Sequence, residues 1–220
     1  MPAGIISPHS FQHLMINNMD YQKLITCAVE LGFNGAEIIT ACDIVLSKEF
    51  RKTCADNRCG LYNKCWMCPP DVGEIDDLMK EVKSYNFGLL YQSIVNLEDS
   101  FDIEGMTKGG REHSVRGREL AKKLLPQLPD RTLHLNCGGC RFCRRCAKQD
   151  GKPCRAPDNA LSSLEAYGID VYQTVKKTKL CKWNQYCNLF WYNSVLENAA
   201  VFGGILNLRL PKNNFIVYCI

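Results

Sequence analysis

Eight cysteines in two short runs are the residues of this chain whose type and spacing can do chemistry. The first run is Cys140-x2-Cys143-x2-Cys146-x7-Cys154, within "CRFCRRCAKQDGKPC". Two-residue spacers let neighbouring thiolates converge on one inorganic centre. Three in tandem wrap three corners of a cube, and a more distant cysteine supplies the fourth, as in bacterial ferredoxins. Zinc sites instead separate their Cys-x2-Cys pairs by a longer spacer, so that two knuckles face one tetrahedral ion. The tandem triple therefore favours a [4Fe–4S] cluster, with zinc as the alternative cofactor. Cys137 extends the series by one step and reads as a spare, a substitute ligand or a packed thiol.

The second run is Cys54-x4-Cys59-x5-Cys65-x2-Cys68, within "CADNRCGLYNKCWMCPP". Its four cysteines suffice for a second [4Fe–4S] centre, and the proline after the last one repeats the ferredoxin theme. Tyr62, Trp66 and Met67 read either as apolar cover for a cluster or as ordinary packing of the loop. Arg141, Arg144, Arg145, Lys148, Lys152 and Arg155 lie among the ligands of the other run. Cations there favour a more reduced, more negative centre and steer an acidic redox partner of ferredoxin or flavodoxin type. The alternative is a solvated basic face. A nucleic-acid surface is disfavoured, because aromatics do not alternate with the basic residues as a stacking platform requires.

The composition is consistent with a globular carrier for these loops. The chain has 220 residues, 46% apolar and 23% charged, with net charge +4. That is one ordinary domain over 1–220, able to bury a core without disulfides. Fourteen cysteines would suit a secreted disulfide protein. The N-terminus, however, has neither the basic start nor the apolar stretch of a signal peptide. No run reaches the apolar length of a membrane span. The expectation is a cytoplasmic protein, free of membrane, whose clustered cysteines hold metal. Many thiolates in a cytoplasm point to an anaerobic host.

The elements that must position the loops alternate. "YQKLITCAVEL" carries a helical stripe at Leu24, Ile25, Ala28, Val29 and Leu31, stopped by Gly32. Glu37 to Thr40 is strand-like. Cysteine-rich loops are expected at 54–70 and 137–157. "GEIDDLMKEVKSY" reads as helix, "FGLLYQSIVNL" as buried strand, "REHSVRGRELAKKLLPQL" as a basic helix, and "RTLHLN" as a short strand entering the second loop. "LSSLEAYGIDVYQTVKKT" reads as one or two helices divided at Gly168, with Ser162 or Ser163 capping the first and Asp170 the second. "VFGGILNLRL" and "FIVYCI" read as strands. The class is α/β or α+β, a mixed sheet with flanking helices.

Weaker features complete the pattern. "GGREH" at a helix start is an anion-site pattern, although a Gly-Gly pair is more often a turn. His113 and His134 are possible ligands, more simply surface or satisfied histidines. Cys27 reads as packed core, and Cys42, Cys181, Cys187 and Cys219 as structural. No dinucleotide, P-loop or Ser-His-Asp pattern appears.

Three motifs in order, "CADNRCGLYNKCWMCPP", "CRFCRRCAKQDGKPCRAP" and "SLEAYGIDVYQT", resemble a family of predicted metal-binding proteins of anaerobic bacteria and archaea. The resemblance runs from about Tyr21 to Thr178. It implies regular cysteines at Cys54, Cys59 and Cys68 in the first motif and at Cys140, Cys143, Cys146 and Cys154 in the second. Cys65 and Cys137 depart from that pattern. With Cys65 as a ligand the first centre is closed, and one-electron transfer is the expected role. Without it one iron is open, as a catalytic cluster requires, for desulfuration or dehydration beside Cys68 with Glu112 or His113 as acid–base group. A zinc-stabilised interaction module is the third reading. For electron flow, residues near 60 and near 145 must meet in space.

Overall fold

The computed structural model describes residues 20–99, 101–128, 132–180, 199–209 and 214–215. Its architecture is mixed α/β, one sheet with helices packed against it. Helix α1 (Tyr21–Glu30) starts at Asp20, whose side chain accepts the Lys23 amide, and buries Leu24 and Ala28. Val29, on the expected stripe, is half exposed. Gly32 ends the helix with φ +87°, a conformation other residues adopt at a cost. Strand β1 (Gly35–Thr40) then runs antiparallel to β2 (Phe87–Asn96), with Gly35 opposite Gln92 and Thr40 opposite Phe87.

Strand β2 is central and buried along most of its length, as a near-continuous apolar run demands. Its other edge pairs antiparallel with β5 (Ala199–Arg209). The two-residue β6 (Asn214–Phe215) meets the ends of both. Strand β3 (His134–Asn136) continues the sheet from β5, and β4 (Ser162–Ser163) lies parallel to β3 at the edge. The core gathers Leu24, Phe33, Leu89, Tyr91, Leu120, Leu124 and Leu135.

The long basic helix, α4 (Ile103–Leu124), begins well before "GGREH". Asp102 accepts the Gly105 amide at 2.7 Å and fixes the start there. Gly109 and Gly110 therefore sit inside the helix, Gly109 buried, where backbone amides are already bonded. The expected anion site does not form.

Two further readings are corrected. Cys54, expected in a loop, lies in the short helix α2 (Glu49–Ala55). No proline or glycine precedes it to break the turn. Ser162 and Ser163 form β4 in place of a helix, because β3 offers them a ladder through Leu135 and Asn136. Ser163 Oγ accepts the Ala166 amide at 3.1 Å, but the N-cap of the 3-10 turn Glu165–Tyr167 is Leu164 and neither serine caps it. Past Gly168, Asp170 caps α5 (Val171–Val175) through the Gln173 amide, as expected. Of "FIVYCI" only Phe215 is described, and Cys181, Cys187 and Cys219 lie outside the described residues.

A short zipper brings the two cysteine regions together. Leu46 bridges Ile169, the Ser47 amide donates to the Gly168 carbonyl, and the Asp170 amide to that of Val45. Helix α2 and the loop leading to α3 (Ile75–Lys83) are thereby held against the segment that follows the second cysteine run. Arg51 ties them further, donating to the carbonyls of Gly73 at 2.8 Å and Ala166 at 3.5 Å.

Candidate metal centre

The second cysteine run is the connection between β3 and β4, parallel neighbours at the sheet edge. Parallel strands need a long crossover. Here that crossover is a coiled loop with two 3-10 turns, Ala147–Asp150 and Pro157–Asn159. Its cysteines turn inward on a recess lined by Cys140, Cys143, Cys146 and Cys154. The fifth cysteine on that recess is Cys65, from the first run, with Trp66 and Met67 beside it. Trp66 and Met67 thus cover the cysteine recess as well as packing their own loop.

Several contacts join the two loops. The Trp66 indole Nε1 donates to the Lys152 carbonyl at 3.0 Å. Lys148 Nζ lies 5.1 Å over the Trp66 ring and forms an ion pair with Asp71. Both charged side chains of that pair are largely buried, so each needs the other. At Gly139 the loops approach so closely that a Cβ would sit 2.5 Å from Leu61 Cδ1 and 3.0 Å from Cys68 Sγ. Only glycine fits there without a shift.

The first run splits. Cys65 and Cys68 are buried at the seam with the second loop. The Cys140 thiol bonds that of Cys65 and favours its thiolate, but the Cys68 thiol and burial oppose this, leaving Cys65 above the ordinary thiol range. Cys140 is raised too, by the Cys65 thiol and by burial. Cys54 stands apart, near Cys59, Arg51 and Glu165. Burial pushes its thiol up to about 11, with the Glu165 carboxylate adding to the effect. Glu165 is itself raised by burial, against bonds from its own amide and from Ser163. Five cysteines lining one recess are the soft thiolate donor set that a thiophilic cation takes. The residues fit a metal–sulfur centre on that ground.

Other candidates fall elsewhere. Cys137 packs in the small cluster around Leu97 with Val95 and Met106 and does not line the cysteine recess. Cys27 is half-buried against the main core, and Cys42 is exposed. His113 is buried on the core side of α4, its Nδ1 2.8 Å from Ser93 Oγ and its ring stacked on Tyr91. Burial holds its pKa down at about 3, helped by Arg116 and His134. His134 Nε2 lies 2.9 Å from Tyr91 OH, and burial holds this ring at about 3 as well. Neither histidine lines the cysteine recess, and Glu112 points to solvent.

Two site neighbours have no signature in the sequence. Arg118, on α4, donates to the carbonyls of Asn159 and Ser114 at 2.9 Å each and lies 5.2 Å over Phe142. Burial lowers its pKa, while the nearby Cys140 pulls the other way. Asp71 is the other, hidden after the Pro69-Pro70 pair. Among the expected cations, Arg145 pairs with Asp150 at 2.7 Å and Lys148 with Asp71. Arg144, Arg145 and Arg155 line a second, open recess with Cys143 and Gln149. Arg141 is exposed beside it.

Among the described residues, no three His, Cys, Asp or Glu side chains converge on a single-ion point. The sulfurs line the wall of a recess instead. No described helix is long and apolar enough to cross a membrane.

Fold and site together define a mixed α/β protein in which two cysteine-rich loops meet at the sheet edge. Residues 37–196 match the family described as predicted metal-binding protein (DUF2284), and the chain belongs to that family. No curated protein matches the chain. No solved structure matches it either.

Proposed function

We propose that this chain is an iron–sulfur protein with two [4Fe–4S] clusters that carries single electrons in the cytoplasm of an anaerobe. The observation that carries the reading is the shared recess: sulfurs from both cysteine runs line one wall, although the runs lie far apart in the chain. Cys140, Cys143, Cys146 and Cys154 are the ligands of one centre, and Cys54, Cys59, Cys65 and Cys68 are the set for the other. A cluster held this way supplies reversible one-electron chemistry, and the protein sets its potential and access.

The chain's own residues have defined tasks. Trp66, Met67 and Phe142 restrict water at the recess, which tunes the potential. Arg118 places a fixed positive charge near Cys140 and favours the reduced, more negative state. Exposed Arg141, Arg144 and Arg155 form the landing face for an acidic redox partner of ferredoxin or flavodoxin type. Sulfurs spread around a recess suit a polynuclear core better than one zinc ion, whose four sulfurs meet at about 2.3 Å from a point.

The test is purification without oxygen, followed by iron and sulfide analysis and electron paramagnetic resonance of the reduced protein. Two cluster signals are expected. Cys143→Ser removes the iron and sulfide of one cluster, and Cys42→Ser, at an exposed cysteine, removes none. A colourless protein with stoichiometric zinc overturns the reading.

A further inference from the structure

Cys143 and Arg155 line both recesses of the second cysteine loop and form the wall between them. On one side lie the clustered cysteines. On the other is the open recess, lined also by Arg144, Arg145 and Gln149. Among the described residues, no aromatic or aliphatic side chain lines that open recess. It has charge and hydrogen bonds to give a ligand, and no apolar surface for a carbon skeleton.

Its side chains hold one another in place. Arg145 pairs with Asp150 at 2.7 Å and donates through Nε to Gln149 Oε1 at 3.3 Å. Arg155 donates to the Arg145 carbonyl. The Gln149 amide keeps its own N–H groups for a ligand. Asp150 offsets Arg145, whereas Arg144 and Arg155 have no ion-pair partner among the described residues. The charge of both is left over on one concave wall. Guanidinium forks favour carboxylates and phosphates. Donors that come from two arginines and an amide suit an anion with oxygens on several sides. A planar carboxylate presents its oxygens in one plane only.

We propose that the open recess is a binding site for a doubly charged tetrahedral oxyanion, a phosphate or a small phosphomonoester, seated beside Cys143. The site uses two arginines of the landing face, so bound anion and docked partner exclude one another. Its effect on the cluster rests on the iron–sulfur reading above. A dianion behind the Cys143 wall disfavours the more negative, reduced state and lowers the potential. By linkage, the reduced protein binds the anion more weakly by the same factor.

The test is calorimetric titration of inorganic phosphate, and separately of glycerol phosphate, into oxygen-protected full-length protein at fixed ionic strength. Phosphate is expected to saturate one site per chain. Arg144→Gln combined with Arg155→Gln should weaken it about tenfold or more, as loss of a charged hydrogen bond does. Arg144→Gln alone, at an exposed side chain, should weaken it by a smaller factor. Arg111→Gln, at an exposed charge on α4 outside the recess, should leave binding unchanged. Tighter binding of glycerol phosphate assigns the ester, equal binding assigns the free ion, and either supports the site. Absence of saturable heat, equal affinity in wild type and both arginine variants, or succinate bound as tightly as phosphate overturns it.

In cluster-loaded protein, saturating phosphate should lower the potential of the signal lost in Cys143→Ser and leave that lost in Cys59→Ser in place. Equal shifts of both signals, or no shift in either, would refute the placement beside Cys143. An iron-free wild-type protein would end the parent reading, while the titration, which needs no cluster, would still decide the site.

Discussion

The indole nitrogen of Trp66 donates to the carbonyl oxygen of Lys152 at 3.0 Å, joining two loops 86 residues apart. The same ring lies under the Lys148 ammonium, and Lys148 is tied to Asp71. One aromatic side chain thus holds the wall of the cysteine recess from both sides. Trp66→Phe keeps an aromatic ring, smaller than the indole, and deletes the donor. It should cost about 0.5–1.5 kcal/mol of stability, as a net hydrogen bond does. Urea unfolding of the cluster-loaded protein under argon measures this, and an unchanged midpoint would remove the bond from the account.

Gly139 offers a sharper test of loop approach. A Cβ there meets Leu61 and Cys68 Sγ at distances that real structures do not tolerate without movement. Gly139→Ala should destabilise by about 1–3 kcal/mol, the usual cost of overpacking. It should also lower cluster content, because the strain is delivered to a cysteine sulfur. Iron per chain and the unfolding midpoint are read together.

If Cys54, Cys59 and Cys68 are the only protein sulfurs of the first-loop centre, one iron there accepts an outside ligand. Titration with a small thiol or with cyanide should then change the spectrum of the signal lost in Cys59→Ser. The signal lost in Cys143→Ser should stay as it was. Equal response of both signals would mean general cluster damage.

His113 gives the pH dependence a sign. The fold keeps this buried ring neutral down to about pH 3. The unfolded chain takes up the proton near pH 6.5. Between those values the unfolded state binds more protons, so stability rises with pH and is lost as pH falls. From pH 7.5 to 5.5 this residue alone should remove about 1.3 kcal/mol. His113→Gln, measured by urea unfolding at both pH values, should flatten the dependence by that amount.

The basic face predicts a salt effect on electron delivery. Arg141 and Arg144 are exposed, and Arg144 and Arg155 line the open recess beside Cys143. Reduction by an acidic ferredoxin should slow as ionic strength rises from 0.01 M to 0.15 M, where the screening length shrinks from about 30 Å to about 8 Å. Arg144→Glu should slow it at low salt and leave the slow, high-salt rate almost unchanged. Stopped-flow reduction measures both.

Much of the secondary structure was legible because local signals agreed with the fold. The apolar run from Phe87 to Asn96 became the central strand, and Asp170 capped the helix that follows it. Where a local signal met a stronger partner, it failed. Ser162 and Ser163 joined β3, and the Gly109-Gly110 pair was absorbed into a helix that Asp102 had already started. Arg118 and Asp71 were invisible, since nothing in their neighbourhood along the chain marks what they touch.

The sequence by itself determined that sulfur chemistry dominates this protein, because the pitch of Cys140, Cys143, Cys146 and Cys154 is a property of covalent spacing. Only the tertiary structure decided how those sulfurs are shared. Spacing groups Cys65 with Cys54, Cys59 and Cys68, but the zipper between 45–47 and 168–170, the Trp66 bond and the gap at Gly139 turn it toward Cys140. Contacts between segments far apart in the chain set that choice, and residue types and local spacing carry no record of them.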